Sequence, residues 1–183
     1  MLEAVPPAFR SVLQQVMDAR SQLAELGEAR PEGPLRDRAA AIVDQVNVLV
    51  DECLAAAGRA AEIDRLLSAV DPAQVTADYK RARREADARE RHGDVSPDLT
   101  ASVTSLRRQH ESAQRLLNGR DAAIERIGLV GHRMRELLLA MAELNLAGGE
   151  SDQLTLVEGQ VAGVAAEVRA LRDAMATLGP APP

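Results

Sequence analysis

PDLTASVTSLRRQHESAQRLLNGRDAAIERIGLVGHRMRELLLAMAELNLA, residues 97–147, decides how this chain folds. Counted in alternating steps of three and four, its seam runs Leu99, Val103, Leu106, His110, Ala113, Leu117, Arg120, Ile124, Ile127, Gly131, Met134, Leu138 and Met141. This is the spacing of one helix face held against partner helices, because a turn takes 3.6 residues. Asn118 and Gly119 interrupt the stretch with a pair that local chemistry would turn. The register nevertheless carries from Leu117 to Ile124, whereas a turn would reset the phase, so one continuous helix is expected across 97–147.

Moving outward, Gly93, Asp94, Val95, Ser96 and Pro97 form the clearest turn. Ser96 is placed as N-cap, Pro97 as first helical residue, and Asp98 adds favourable negative charge. Upstream lies a second seam: Leu35, Ala39, Ile42, Val46, Leu49, Cys53, Ala56, Ala60, Ile63, Leu67 and Val70. Asp71 and Pro72 then read equally as a cap with a first-turn proline or as a kink inside a longer rod. A weaker seam of Val75, Tyr79, Ala82 and Ala86 leads to His92. Downstream, Gly148 and Gly149 end the long helix, Ser151 caps the next, and Leu154, Val157, Val161, Val164, Val168, Leu171, Met175 and Leu178 make the last seam. At the start of the chain, Leu2, Val5, Phe9, Val12, Val16, Ala19, Leu23 and Leu26 form a further helix that stops at Gly27, before Pro31, Gly33 and Pro34.

Short connections make consecutive helices antiparallel neighbours. About a tip at 93–96, Ala86 then faces Val103, Ala82 faces Leu106, Tyr79 faces His110, Ala60 faces Gly131 and Ala56 faces Met134. The expected fold is all-α, an elongated antiparallel helical bundle in one domain over 1–183. A four-helix base (about 1–66 and 121–178) carries a projecting two-helix coiled-coil stalk (about 67–120), with a frayed tail at 179–183.

Composition bounds the function. Of 183 residues 46% are hydrophobic, yet Phe9 and Tyr79 are the only aromatics, so the interior is to be filled by aliphatic side chains and alanine. A net charge of −6 argues against nucleic acid as partner, since basicity is that class's electrostatic footprint. Cys53 is the single cysteine, so an intrachain disulfide is excluded and a reducing cytoplasm is the expected setting. There is no secretory-signal pattern and no run of 18 apolar residues. Lys80 is the only lysine; with abundant Ala, Val and Gly the expectation from codon bias is a GC-rich genome, and a bacterial source is expected.

No catalytic, cofactor-binding or metal residues are expected. A di-iron bundle needs Glu-x-x-His, but no glutamate stands three residues before His92, His110 or His132. Phosphate loop, nucleophile elbow and His-Glu-x-x-His are all missing. Cys53 lies among Val46, Leu49 and Ala56, where it reads as a small buried hydrophobe. His110 reads as a pH sensor, as a partly buried histidine satisfied by Tyr79 or an acidic neighbour, or as a residue of a loosely packed stalk. Arg120, on the seam, is expected to mark where stalk and base meet, its aliphatic stem leaving the core and its guanidinium reaching solvent in preference to a ligand role, and Gly159 with Gly163 to mark close helix packing.

One segment stands out as a candidate partner-binding surface: Lys80, Arg81, Arg83, Arg84, Arg89, Arg91 and His92, joined across the proposed hairpin by Arg107 and Arg108. On an acidic protein it would attract acidic or phosphate-rich partners. Glu85, Asp87 and Glu90 dilute it toward an ordinary solvated face, and with no aromatics beside the arginines it lacks a platform for stacking bases. The expected function is a non-enzymatic helical scaffold or adaptor that contacts protein partners and copies of itself. A long hairpin preceded and followed by shorter helices is also similar in layout to the phage-shock-protein A and ESCRT-III family. That resemblance implies the alternative, a peripheral membrane-stress or membrane-remodelling protein, although no motif of the family is present and the first helix lacks the cations of an anionic-lipid anchor.

Overall fold

Residues 97–146 form one helix of 50 residues, unbroken through Asn118 and Gly119. In the computed structural model, which describes residues 7–29, 33–94, 96–146 and 151–176, it is the fourth of five helices: α1 (Pro7–Glu28), α2 (Pro34–Val70), α3 (Pro72–Arg91), α4 (Pro97–Leu146) and α5 (Ser151–Ala176). Among the described residues there is no strand. Leu2, Val5, the glycine pair 148–149 and the tail from Leu178 lie outside the described residues.

Asp71 is at once a cap and a break. Its backbone is left-handed (φ 48°, ψ 83°), which for a non-glycine residue is tolerated best by Asp and Asn. Its amide still bonds Leu67 O (3.1 Å), so α2 is closed, and its carbonyl already accepts Val75 N (3.1 Å), so α3 is begun. Pro72 has no N–H to offer, and the next two amides, Ala73 and Gln74, are taken by Asp71 Oδ1 at 3.2 and 3.3 Å. The carbonyls of Ser68, Ala69 and Val70, deprived of their amides, belong to exposed residues. The other end of α3 closes on Gly93 (φ 72°): Gly93 N bonds Glu90 O and Asp94 N bonds Arg89 O, each at 3.0 Å, a Schellman cap that needs the left-handed glycine.

The chain divides into two compact units, Met1–Ala61 with Asp121–Pro183, and Glu62–Arg120. In the first, contacts join α1 to α2 to α5 to α4 and back to α1. Arg20 reaches Asn47 (2.7 Å) and Asp51 (3.0 Å), while Gly27 faces Val43, so α1 and α2 are antiparallel. Arg126 pairs with Glu167 (3.3 Å) and Arg133 lies against Gly163, so α4 and α5 are antiparallel too. The remaining two contacts are parallel. Gly131 faces Val12 and Val16 while Asn145 Nδ2 donates to Leu26 O (3.0 Å), and Arg38 pairs with Glu158 (2.7 Å) while Arg172 meets Glu52 (4.0 Å).

That ring explains the width of the buried stripes. Besides Ile127, Met134 and Met141, α4 buries Ala123, Val130, Leu137, Ala140 and Leu144, and α2 buries Val50, Ala57 and Ala61 beside the expected positions. A helix with two neighbours needs an apolar face broader than the narrow seam of a two-stranded coil. A 3.6-residue turn also drifts about 20° per heptad against a 3.5-residue count. Three expectations are corrected on these grounds. The direction of a Cβ at Gly131 leads to Val12 and Val16 (3.8 and 3.7 Å), not to Ala60. Leu49 and Leu138 are only half-buried, with Val50 and Leu137 in the core beside them. Val70, counted on the seam, is 55% exposed.

Candidate interaction surface

The second unit holds the basic segment. Here α3 faces α4 along a thin, half-buried seam: the rings of Tyr79 and His110 stack with centroids 5.2 Å apart, and Thr76 Oγ1 is 3.1 Å from His110 Nδ1. Thr76 spends its one hydroxyl proton on Pro72 O (2.8 Å), so it must accept from His110, which fixes a proton on Nδ1. The satisfier of His110 is therefore a hydroxyl as well as the Tyr79 ring. Arg120 is corrected more sharply: instead of reaching solvent it pairs with Asp64 on α2 at 3.1 Å, with both side chains less than 30% exposed.

α3 buries none of its 20 residues. Every one of Lys80, Arg81, Arg83, Arg84, Arg89, Arg91, Arg107 and Arg108 is exposed, as is His92 at the helix C-cap. Several hold local partners: Arg81 pairs with Asp78, Arg89 with Glu85 (2.9 Å) and Arg107 with Glu111 (3.7 Å). Arg84 Nε donates to Lys80 O (3.1 Å) and Arg91 Nε to Asp87 O (3.0 Å), which leaves both guanidinium charges without a carboxylate partner among the described residues. Lys80, Arg83 and Arg108 likewise have no ion-pair partner among the described residues. Arg89 and Arg91, in the last turn, also sit at the negative end of the helix dipole.

Turning about 100° per residue, Arg84 lies roughly 170° from the mean direction of Val75, Tyr79, Ala82 and Ala86, with Lys80 and Arg91 beside it on the outermost line of α3. Arg108 lies about as far from α4's own seam. Because the two seams face each other, Arg84 and Arg108 look in opposite directions, and the basic residues make two outer faces instead of one joined patch. The stronger is Lys80, Arg84 and Arg91, with Asp87 its only acid.

Two cavities adjoin. One of 340 Å³ near the tip is lined by Ala86, Arg89, Asp94, Leu99, Thr100 and Val103 among others. The other, 280 Å³ and almost wholly apolar, lies between Leu66, Leu67 and Val70 of α2 and Ala113 and Leu116 of α4. Sequence reading missed this second groove, because the seam count placed Val70 inside; the change of phase at Asp71 was the signal that could have exposed it.

Burial pushes the Cys53 thiol up to about 12, so it is protonated and inert. Among the described residues no three His, Cys, Asp or Glu side chains gather to hold a metal, and no helix is long and apolar enough to cross a membrane. Of the glycines expected to mark close packing, Gly163 touches Arg133 but Gly159 has no neighbour within 4 Å of where a Cβ would stand. No protein-family model, no curated protein and no solved structure matches the chain.

Proposed function

We propose that this chain is a non-enzymatic helical scaffold or adaptor that works through helix-to-helix protein contact, including contact with copies of itself. The observation that carries the reading is α3, a 20-residue helix with no buried residue and six exposed cations. A helix that adds so little to a core is better suited to meeting a partner than to holding the fold. The arrangement read from the sequence, a four-helix base with a two-helix coiled-coil stalk ending at 93–96, belongs to this proposal, the stalk being the arm that binds. Cytoplasmic location belongs to it as well.

Replacing Arg81, Arg84, Arg107 and Arg108 by Gln in the full chain tests it. Exposed charges contribute about 0–1 kcal/mol each to stability, so the melting temperature should stay within a few degrees of the parent while self-association is lost. Association unchanged in about 0.01 M salt, where charge attraction reaches furthest, would refute the basic arm. The alternative, a peripheral membrane-remodelling or membrane-stress protein, rests on the hairpin layout and on the attraction of the same cations to anionic lipid. Sedimentation of the full chain with anionic vesicles, lost in the Gln variant, would favour it over protein contact.

A further inference from the structure

Charge is divided unevenly along this chain. Glu62–Arg120 carries eleven Lys and Arg against ten Asp and Glu, a net of +1, which leaves eleven against eighteen, a net of −7, for the residues of the other unit. The excess acid has an address. Between Arg38 and Arg59 α2 bears no basic side chain, and its Asp37, Asp44 and Asp51 recur every seven residues, all exposed. They lie within roughly 45° of the line opposite α2's buried stripe of Ala39, Ile42, Val46, Val50, Cys53 and Ala57. Val48, 59% exposed, stands between Asp44 and Asp51 on that face. Asp51 pairs with Arg20 at 3.0 Å yet keeps 66% of its side chain exposed, so it can accept a second cation; Asp44 has no ion-pair partner among the described residues.

The outer line of α3 matches this spacing. Seven residues separate Arg84 from Arg91 and Asp44 from Asp51, about 10.5 Å along either axis at 1.5 Å per residue. Both stripes sit on helix faces turned away from their own cores, and neither has a covering element among the described residues.

We propose that the Lys80, Arg84 and Arg91 stripe of one copy docks on the Asp44 and Asp51 stripe of a second copy of this chain, deepening the scaffold reading on which it rests. The two surfaces differ, so the contact is heterologous: each copy offers one donor face and one acceptor face, and the assembly grows into a ring or an open filament instead of stopping at a two-fold dimer. Attraction among exposed charges is weak per pair, so the assembly forms in dilute salt, where the Debye length is about 30 Å, and dissolves near 1 M, where it is about 3 Å.

The test uses the full chain and its light-scattering mass. Arg84→Glu with Arg91→Glu makes both stripes acidic, and Asp44→Arg with Asp51→Arg makes both basic, so each variant alone should stay at 19.6 kDa in dilute salt. Mixed in equal amounts they should assemble again, because the acidic α3 of the first meets the basic α2 of the second while the unaltered stripes also match. Circular dichroism checks that both variants remain helical. Variants that assemble alone as the parent does, or a mixture that stays monomeric while the parent assembles, would overturn the stripe contact and leave self-association by another face standing. A parent chain at monomer mass in dilute salt would overturn this contact and self-association together, and would leave of the scaffold reading only an adaptor for other proteins.

Discussion

Single residues set where this chain bends and how its one thiol behaves. Asp71 ends one helix and begins another without an intervening loop, since its carboxylate takes the two amides that Pro72's missing N–H and the left-handed backbone leave over. The Asp-Pro pair announced both a cap and a kink, and the left-handed backbone reconciles them; no propensity distinguishes the two readings, because the choice is made by the φ of one residue. Cys53 was legible as a buried hydrophobe from its neighbours alone, and its chemistry follows from that burial. Desolvation raises the thiol from 9.0 to about 12, so the folded state favours the protonated form. Its contribution to stability is fully present below pH 9 and is lost as pH rises from 9 toward 12. Cys53→Ala should therefore flatten that alkaline loss in the melting temperature. In the parent at neutral pH, a thiol reagent should modify Cys53 only at the rate of unfolding; rapid labelling of folded protein would show the site to be open.

At the scale of the helices, register proved a better guide than local chemistry. Asn118 and Gly119 spell a turn, but the apolar phase on either side requires a helix, and α4 runs through both. Element boundaries were readable for the same reason, from caps and breakers of known geometry. What a seam count could not give is the number of neighbours a helix has, because a second partner widens the buried face without changing its period. Hence Val130, Leu137 and Leu144 of α4 were missed, and Gly131 was assigned to Ala60 when its open side faces α1. The corrected packing makes opposite demands on two small residues. A methyl at Gly131 would meet Val12 and Val16 at ordinary contact distance, so Gly131→Ala should stabilise by about 0.5–1 kcal/mol through helix propensity and filled space. Ala60 is completely buried, and Ala60→Leu should cost about 1–3 kcal/mol by overpacking. Denaturant melts of the two variants measure both; a destabilised Gly131→Ala would return that residue to a tight helix crossing.

For the whole molecule, the distribution of burial and charge carries more functional information than any motif. The cations of α3 were legible as a candidate surface from their run in the sequence, and all are exposed. That these and the α4 cations Arg107 and Arg108 lie on two outward faces and not on one joined patch was not legible, because it depends on which side of each helix meets the other, and the apolar groove at Leu66 and Val70 was hidden by the same uncertainty. An acidic stripe on α2 and a basic one on α3 give the chain two unlike surfaces of equal spacing, which is how a scaffold can be built from one repeated part. The central claim, that the protein works by contact between helices of separate copies, is tested most directly by the light-scattering mass of the full chain as a function of concentration in about 0.01 M and about 1 M salt. The expected result is an average mass that climbs well above 19.6 kDa with concentration in dilute salt and returns to 19.6 kDa in concentrated salt. A mass of 19.6 kDa at every concentration in dilute salt would contradict it.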